Sequence, residues 1–428
     1  MRSDIALYSD YMYSYPHKTA YRSFVPPLPL APFFDTLANT TGSLYFHLPF
    51  CSMKCGFCNL FSSTRHTPTL LATYLAALRR QATVLSQLAA QVRFSSFAIG
   101  GGTPLVLNEA QMDELLDAAA CFGVSPERVE TSVETSPDHA RPEALRHLRQ
   151  RGVTRLSIGI QSFREDELRR LKRATCARTC HAALDNIVQA GFPKLNIDLI
   201  YGIENQTPDD FLASLEAALR YQPSELFLYP LYVRPGTPLK TRAEDAACHT
   251  LYRAALDVLR PLGYRQTSMR RFVQSVRDDP GAEGASCGDE VMLSCGCGGR
   301  SYVGDLHYAS PYATDPRKIR AIVDEYCAAR DFSHARHGYV LNQDERQRRF
   351  IIKNLMFWRG IDGAEFQRRF QADIAQYDFS GLLAEGFIVR QEERLVLTEK
   401  GLAASDHIGQ LFISPAVRAK MRAYSETP

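Results

Sequence analysis

The most constraining feature of this 428-residue chain is a long alternation of short apolar runs with helical stretches. The stretch LLATYLAALRRQATVLSQLAAQ has the clearest helical period, and similar stretches separate the later apolar runs. Five successive strand-to-helix steps predict a parallel sheet, either open or curled into a barrel. The six predicted buried strands are LYFHL (44–48), FSSFAIG (94–100), VETSVET (129–135), TRLSIGI (154–160), LNIDLIYG (195–202) and ELFLYPL (225–231).

After Pro261 the pattern changes. Residues 273–300 are rich in Gly, Asp and Ser and contain CGCGG, which predicts a connecting loop with a tight turn. From about residue 344, helical stretches precede two apolar segments that are separated by a charged turn at Glu392 and Glu393. This second pattern predicts a hairpin beside helices, in a compact winged-helix-like C-terminal domain.

Charge and cysteine usage limit the functional classes. Lys and Arg total 50 against 47 Asp and Glu, so there is no basic excess of the kind that nucleic-acid binders use. The first residues lack the apolar core of a secretory signal, and no apolar run reaches membrane-spanning length. We therefore expect a cytoplasmic protein without nucleic-acid or membrane partners, whose 11 cysteines stay reduced.

Three of these cysteines, Cys51, Cys55 and Cys58, lie in one loop after the first predicted strand. A structural zinc site needs four ligands; His66 is the nearest candidate for a fourth, and no second C-x-x-C motif follows. Iron–sulfur cubanes are also normally held by four thiolates. The spacing C-x-x-x-C-x-x-C therefore favours a cubane with one open iron, while a zinc loop or a chance cluster remains an alternative.

Polar and glycine residues follow the other predicted strands. GGGTP follows the second strand, and Glu134, Gln161 and Asp198 lie at the ends of the third, fourth and fifth. The carboxyl ends of parallel strands are where such folds place their active sites. Taken singly, GGGTP could be a plain turn and Arg173 a solvated helix residue, whereas Asp198 inside an apolar strand is costly unless paired.

The ordered motifs carry a family resemblance. The cysteine loop resembles the radical S-adenosylmethionine (SAM) enzymes. The text YFHLPFCSMKCGFC…GGGTP…SVET…RLSIGIQSF…LKRA…NIDLIYGIENQT is similar to that of the oxygen-independent coproporphyrinogen III dehydrogenases. The similarity runs from Tyr45 to Gln206 and returns at MFWRGIDGAEFQRRF and RLVLTEKGL.

The resemblance implies an α/β fold, a partial (β/α)6 TIM-type barrel with a small C-terminal helical domain. Its regions would be an N-terminal substrate-side segment (1–42), the barrel (43–270), a connecting segment with the Gly-rich turn (271–343) and the C-terminal domain (344–428).

It also implies the cofactors. Cys51, Cys55 and Cys58 would ligate three irons of a catalytic [4Fe–4S] cluster, and SAM would chelate the fourth iron. An electron from a donor such as flavodoxin or ferredoxin would cleave SAM to methionine and a 5′-deoxyadenosyl radical, which would abstract hydrogen from a small-molecule or peptide substrate.

The same resemblance implies SAM contacts. Glu134 would bind the ribose hydroxyls, Arg173 the carboxylate, and Gln161 and Asp198 would line a volume that can hold a second SAM. The full set of implied cofactor-binding residues is Tyr45, Phe57, Gly101, Gly102, Thr103, Glu134, Gln161, Arg173 and Asp198.

Departures from the family pattern bear on the substrate. Leu60 stands where the dehydrogenases have a further cysteine, and the H-N-x-x-Y-W motif of haem-delivery relatives is missing. The segment TSMRRFVQ resembles enzymes that transfer a methyl or methylene group with two SAM molecules. We therefore expect a radical SAM enzyme with an unidentified substrate; the alternatives are the coproporphyrinogen III dehydrogenase reaction and a non-catalytic haem or cluster carrier.

Two further sequence features have open roles. Cys295 and Cys297 favour a tight turn over an additional metal site. In the tyrosine-rich start of the chain, Tyr15, His17 and Arg22 are candidates for substrate contact.

Overall fold

The computed structural model describes Tyr8, Met12 and residues 14–234, 236–274 and 291–424. The strands are β1 (Arg22–Pro29), β2 (Thr41–Leu48), β3 (Arg93–Gly101), β4 (Glu130–Thr135), β5 (Arg155–Gln161), β6 (Lys194–Tyr201), β7 (Glu225–Pro230), β8 (Tyr264–Gln266), β9 (Arg271–Gln274), β10 (Met292–Cys295), β11 (Arg300–Val303), β12 (Leu306–Ala309), β13 (His334–Val340), β14 (Ile361–Asp362), β15 (Ile388–Gln391) and β16 (Arg394–Leu397).

The α-helices of the same ranges are α1 (Ala31–Phe34), α2 (Pro68–Leu88), α3 (Glu109–Ala120), α4 (Pro142–Gln150), α5 (Glu165–Arg170), α6 (Ala177–Ala190), α7 (Pro208–Leu219), α8 (Asp245–Leu259), α9 (Pro316–Ala328), α10 (Gln343–Leu355), α11 (Gly363–Phe370), α12 (Ser380–Ala384), α13 (Glu399–Ala403), α14 (Ser405–Leu411) and α15 (Pro415–Arg422).

The strands β2 to β7 form a parallel sheet in chain order, and a helix follows each of them. This is the predicted partial (β/α)6 barrel, and the predicted strand positions agree with it to within about three residues. The sheet continues beyond β7 through antiparallel β9 and β8, and beyond β2 through β10, β11, β12, β13 and β1. The fold class is therefore confirmed.

The barrel strands hold together because their outward side chains pack under the helices. Phe46 of β2 meets Phe97 of β3 edge-on, with ring centres 4.9 Å apart. Leu75 and Leu78 of α2 lie in the same buried core. Helix α2 begins where Thr67 accepts a hydrogen bond from the amide of Leu70, 3.2 Å away. Burying each such apolar side chain contributes about 1.5–3 kcal/mol.

The prediction of a connecting loop at 273–300 is wrong for the residues of this range that the structure describes, 273–274 and 291–300. Met292 of β10 pairs in parallel with Ser43 and antiparallel with Tyr302, so β10 and β11 extend the barrel sheet; residues 275–290 lie outside the described residues. Each strand has only four residues, too few for the alternation that identifies a strand from sequence. The tight turn at CGCGG is confirmed, with φ of 98° at Gly296 and 94° at Gly298.

The C-terminal part forms a second core. Helices α10 to α15 accompany a three-stranded sheet in the order β14-β16-β15, and β15 and β16 form the predicted hairpin. Met12 and Tyr15 of the N-terminal segment are buried in this core rather than in the barrel. The exact domain boundaries stay a prediction.

Within the described ranges, no helix combines the length and apolar character needed to cross a membrane.

Candidate active site

The three-cysteine loop leaves the end of β2 and is held by backbone hydrogen bonds. The amide of Cys51 donates to the Ser63 carbonyl (3.0 Å), and the amide of Gly56 donates to the Leu171 carbonyl (2.9 Å). All three thiols of the loop are free and half-buried. Burial raises the pKa of Cys51 to about 11, and it also raises the pKa of Cys58. Such thiols become thiolates only with a compensating cation, which a bound metal supplies.

No three His, Cys, Asp or Glu side chains within the described ranges converge on a position for a single metal ion. In a cubane each thiolate binds a different iron, so its ligands need not surround one ion. The donor set of three free thiols in one loop fits a cluster of this kind. The ligand role of each cysteine stays a prediction.

Arg173 lies beside this loop. Its Nη1 donates to Sγ of Cys55 at 3.2 Å, and its Nη2 donates to the Gly159 carbonyl. Its Nε is buried without a hydrogen-bond partner among the described residues. Because α5 already ends at Arg170, the solvated-helix interpretation of Arg173 is wrong: the guanidinium points to the thiols and has a donor to spare.

The GGGTP segment brings backbone close to the loop. Gly101 has φ of 111°, and its amide donates to Oε2 of Glu134 at 3.0 Å. A Cβ on Gly102 would stand 2.3 Å from the Phe50 carbonyl oxygen, so only glycine allows this approach. The side chain of Thr103, the next residue, hydrogen bonds the Cys51 thiol.

Two carboxylates line the barrel interior. Glu134 projects into the open barrel interior, where its side chain remains exposed. The surrounding barrel wall raises its pKa by desolvation, while the hydrogen bond from the Gly101 amide lowers it. Asp198 accepts from Nδ2 of Asn196 at 2.7 Å. Burial raises the pKa of Asp198 to about 7, so this carboxylate titrates near neutral pH.

The remaining predicted site residues surround the same interior. Gln161 has φ of 75° at an irregular point of the β5–β6 pairing, and such strained non-glycine residues are frequent at functional sites. The Tyr45 hydroxyl lies 3.2 Å from Nδ1 of His47. Phe57 packs against a small apolar cluster that includes Ile200 and Leu231.

A group of cations near Cys58 was missed by sequence reasoning. Nζ of Lys18 lies 3.5 Å from the ring centre of Tyr312. Burial, followed by Arg300 and Arg234, holds the pKa of Lys18 well below its usual range, while the nearby Cys58 opposes them. We call Lys18, Arg234 and Arg300 the cationic group. No local signal marks them, because they are 216 and 66 residues apart along the chain (234 − 18 and 300 − 234).

Two histidines lie near the cationic group. Burial, then Lys18, Arg300 and Arg234, lowers the pKa of His17 to about 3. His47, a polar residue in the apolar run LYFHL, has its pKa lowered by burial to about 4. The other two N-terminal candidates point elsewhere: Tyr15 donates to Glu345, and Arg22 donates to the Lys420 carbonyl at 2.6 Å.

Comparison with known proteins decides the family. Residues 45–218 match the family profile of the Radical SAM superfamily, and residues 341–403 match the HemN C-terminal domain. The chain belongs to the radical SAM superfamily. This radical SAM enzyme is homologous to oxygen-independent coproporphyrinogen III oxidase, with 28% identity to the Escherichia coli K12 protein over 93% of this chain and 92% of that protein.

Other comparisons agree. The solved structure of coproporphyrinogen III oxidase (HemN) from Escherichia coli superposes with a TM-score of 0.80, at 24% identity over 94% of this chain and 97% of that one, which supports the fold. A heme chaperone HemW of Mycobacterium tuberculosis H37Rv is 31% identical over 50% of this chain and 54% of its own length.

Family membership confirms the predicted cofactors, a [4Fe–4S] cluster and SAM, and a small-molecule substrate with a reductant follows from it. The residues that hold each group, the substrate and the electron donor are proposals.

Proposed function

We propose that this radical SAM enzyme modifies an organic substrate bearing anionic groups, and that a second SAM supplies a carbon to it. The observation that carries the proposal is the division of the barrel mouth. Arg173 contacts Cys55 and interacts with Asp198, which in turn interacts with Glu134, whereas Lys18 of the cationic group interacts with Cys58.

The proposed SAM contacts follow from the donors and acceptors present. The spare Nε–H of Arg173 is available to the SAM carboxylate, and an ionised Glu134 accepts from two ribose hydroxyls. Gly101 and Gly102 admit the methionyl part because no side chain projects from them. Asp198 and Gln161 remain for a second SAM.

When bound, the cluster supplies the electron that splits the sulfonium bond of SAM. The chain's own part is to hold SAM in one orientation beside the three thiols, because a fixed geometry replaces a costly encounter. Phe57 and its apolar neighbours exclude water on that side.

The anionic substrate is inferred from the cationic group. Burial, Arg300 and Arg234 together lower the pKa of Lys18, so a carboxylate bound among these three cations would relieve their repulsion. Flavodoxin or ferredoxin remains the proposed electron donor.

A second candidate is the coproporphyrinogen III oxidase reaction itself, which the similarity over nearly the whole chain favours. Leu60 distinguishes the two candidates: it replaces the family cysteine, and its side chain is 48% exposed beside the cluster loop. The half-length match to HemW favours a third candidate, a haem or cluster carrier without turnover.

A product ratio separates these functions. Under strict anaerobiosis, with reductant, SAM and a panel of candidate carboxylate-bearing substrates, we expect 5′-deoxyadenosine and S-adenosylhomocysteine to form together, quantified by mass spectrometry. Coproporphyrinogen III is the control substrate. Its rapid conversion to protoporphyrinogen IX without S-adenosylhomocysteine would favour the oxidase, and tight haem binding without any SAM cleavage would favour the carrier.

The SAM contacts predict a loss of affinity. Glu134→Ala and Arg173→Ala should each weaken SAM binding by about ten- to a hundredfold, because a charge-assisted contact contributes roughly 1.5–3 kcal/mol. Isothermal titration of the reconstituted protein measures this.

Arg170→Ala is the matched control for the arginine, since Arg170 pairs with Asp166 on the exposed helix α5. Unchanged affinity in the Arg173 variant, or an equal loss in the control, would contradict the proposed contact.

A further inference from the structure

Beneath the barrel mouth lies a compact ionic group made by three strands. Nη2 of Arg155 on β5 donates to Oε2 of Glu225 on β7 at 2.8 Å, and Nη2 of Arg271 on β9 donates to Oε1 of the same carboxylate at 3.0 Å. Only 15%, 5% and 16% of the three side chains are exposed. We call Arg155, Glu225 and Arg271 the floor triad. With two cations and one anion, it carries one uncompensated positive charge.

The acid of the floor triad stays ionised over the whole physiological range. Burial would raise the pKa of Glu225, but Arg155 and then Arg271 outweigh burial and hold it at about 2. The positive excess of the triad is therefore a fixed feature of the barrel interior.

The two interior carboxylates lie between this floor and the mouth. In the strand register Arg155 is opposite Ser132, and its Nη1 donates to Oγ of Ser132 at 2.8 Å. Side chains alternate along a strand, so Glu134 points to the same face as Ser132 and lies one layer nearer the mouth. On β6, Lys194 is the neighbour of Arg155. By the same alternation, Asp198 points to the same face as Lys194 and lies two layers nearer the mouth.

Other charges face Asp198 as well. The Lys194–Glu130 pair beneath it is internally balanced, whereas Arg173 adds a positive charge from the mouth side. The charged groups on the elements around Asp198 are Glu130 and Glu134 on β4, Arg155 on β5, Arg173 after α5, Lys194 on β6, Glu225 on β7 and Arg271 on β9.

These charges compete at one carboxylate. Burial raises the pKa of Asp198, hydrogen bonding from Asn196 lowers it, and Glu134 raises it again. Arg155 and Arg173 then lower it, which leaves the pKa at about 7. Arg155 is the member of the floor triad that acts on Asp198 directly, and Glu225 is its ion-pair partner, so a change in this pair alters the ionised fraction of Asp198 at neutral pH.

We propose that the floor triad is a positioning element that keeps Asp198, and with it Glu134, ionised for the ammonium and hydroxyl groups of SAM. The inference rests on the SAM contacts proposed above. Arg155 acts through the carboxylates and does not touch SAM itself.

The proposal predicts pH shifts of opposite sign. Arg155→Met removes a positive charge, so the pH midpoint of SAM binding should move up by about one unit. At a pH below the midpoint, this shift corresponds to a roughly tenfold lower affinity for SAM. Glu225→Gln removes the negative charge and leaves both arginines, so the midpoint should move down. Arg155→Lys should restore most of the wild-type profile. Isothermal titration with SAM between about pH 6 and pH 9 measures the midpoint.

A second readout is independent of SAM. Infrared pH titration of the reconstituted protein follows the protonated carboxyl band, and Asp198→Asn identifies the contribution of Asp198. The band should titrate at higher pH in Arg155→Met and at lower pH in Glu225→Gln. Arg151→Met is the matched control, because Arg151 pairs with Asp113 and Asp117 on the outer helices.

The outcomes separate this inference from the proposed function. Shifts of opposite sign in Arg155→Met and Glu225→Gln, in both readouts, support the proposed role of the floor triad. Shifts of the same sign, or none, in variants that unfold at the wild-type temperature overturn it. If the single variants do not fold, the double variant Arg155→Met/Glu225→Gln provides the test, because Arg271 keeps the net charge of the triad at one positive charge. Its infrared midpoint should stay at the wild-type value, and a shift of about one pH unit in it would overturn the proposal. Unchanged SAM affinity in Asp198→Asn, with the infrared shifts intact, would instead refute only the SAM contact.

Discussion

Replacing Cys51, Cys55 and Cys58 together by alanine is expected to remove about four irons and four sulfides from the anaerobically reconstituted protein. Reductive SAM cleavage should fall to background, because the three half-buried thiols in one loop are the proposed ligands of the cluster. Iron and sulfide analysis and 5′-deoxyadenosine formation measure the two effects.

The chain offers a control with the same number of thiols removed. Cys121, Cys176 and Cys327 are free cysteines outside the cysteine loop, and their joint replacement by alanine should leave the iron content unchanged. Stoichiometric zinc without iron uptake in the wild-type protein would refute the cluster assignment and favour the zinc-loop alternative.

Asp406→Ala is expected to lower the free energy of unfolding of the C-terminal domain by about 3–5 kcal/mol, because it leaves a buried guanidinium without its compensating carboxylate. Oδ2 of Asp406 on α14 accepts from Nη1 of Arg270 and from the Tyr232 hydroxyl, both at 2.6 Å. The two charged side chains are 7% and 1% exposed. Because Tyr232 and Arg270 belong to the barrel part of the chain, the C-terminal domain should also detach from it more readily.

The single tryptophan provides the measurement. The Trp358 amide donates to the Thr267 carbonyl at 3.0 Å, and the Arg265 guanidinium lies 4.3 Å from the centre of its ring, so its fluorescence reports the contact between barrel and C-terminal domain during urea unfolding. Asp324→Ala is the control, since the Arg320–Asp324 pair is about half exposed and should contribute less than about 1 kcal/mol. Equal losses in both variants would show that burial of the Arg270 pair does not matter.

Local sequence patterns were sufficient for the central part of the fold. The runs at 154–160 and 195–202 became β5 (Arg155–Gln161) and β6 (Lys194–Tyr201), because a strand covered on both faces must be apolar almost throughout. The position of Asp198 in such a run was informative for the same reason: a carboxylate there requires compensating groups, and Asn196 and the nearby arginines provide them.

Short strands that depend on distant partners could not be predicted in this way. β10 (Met292–Cys295) exists because it pairs with β2, whose residues lie about 250 positions earlier in the chain. Likewise Arg22 of β1 pairs with Gly338 of β13. The four residues of β10 carry too little periodicity to identify a strand, and three prolines interrupt the eight residues of β1, RSFVPPLP, so pairing decided these elements.

The sequence by itself therefore determined the six parallel strands and the three-cysteine loop, since both depend on spacing within short stretches of chain, and the family resemblance added that the sheet curls into a partial barrel. Only the tertiary structure decided which charges meet inside the barrel. The floor triad joins β5, β7 and β9, and the cationic group joins the N-terminal segment to the loop after β7 and to the start of β11. The physical reason is that the residues next to a charged side chain in the sequence do not indicate its ion-pair partner. Glu225 meets Arg155 and Arg271 only because the curled sheet brings β5, β7 and β9 together.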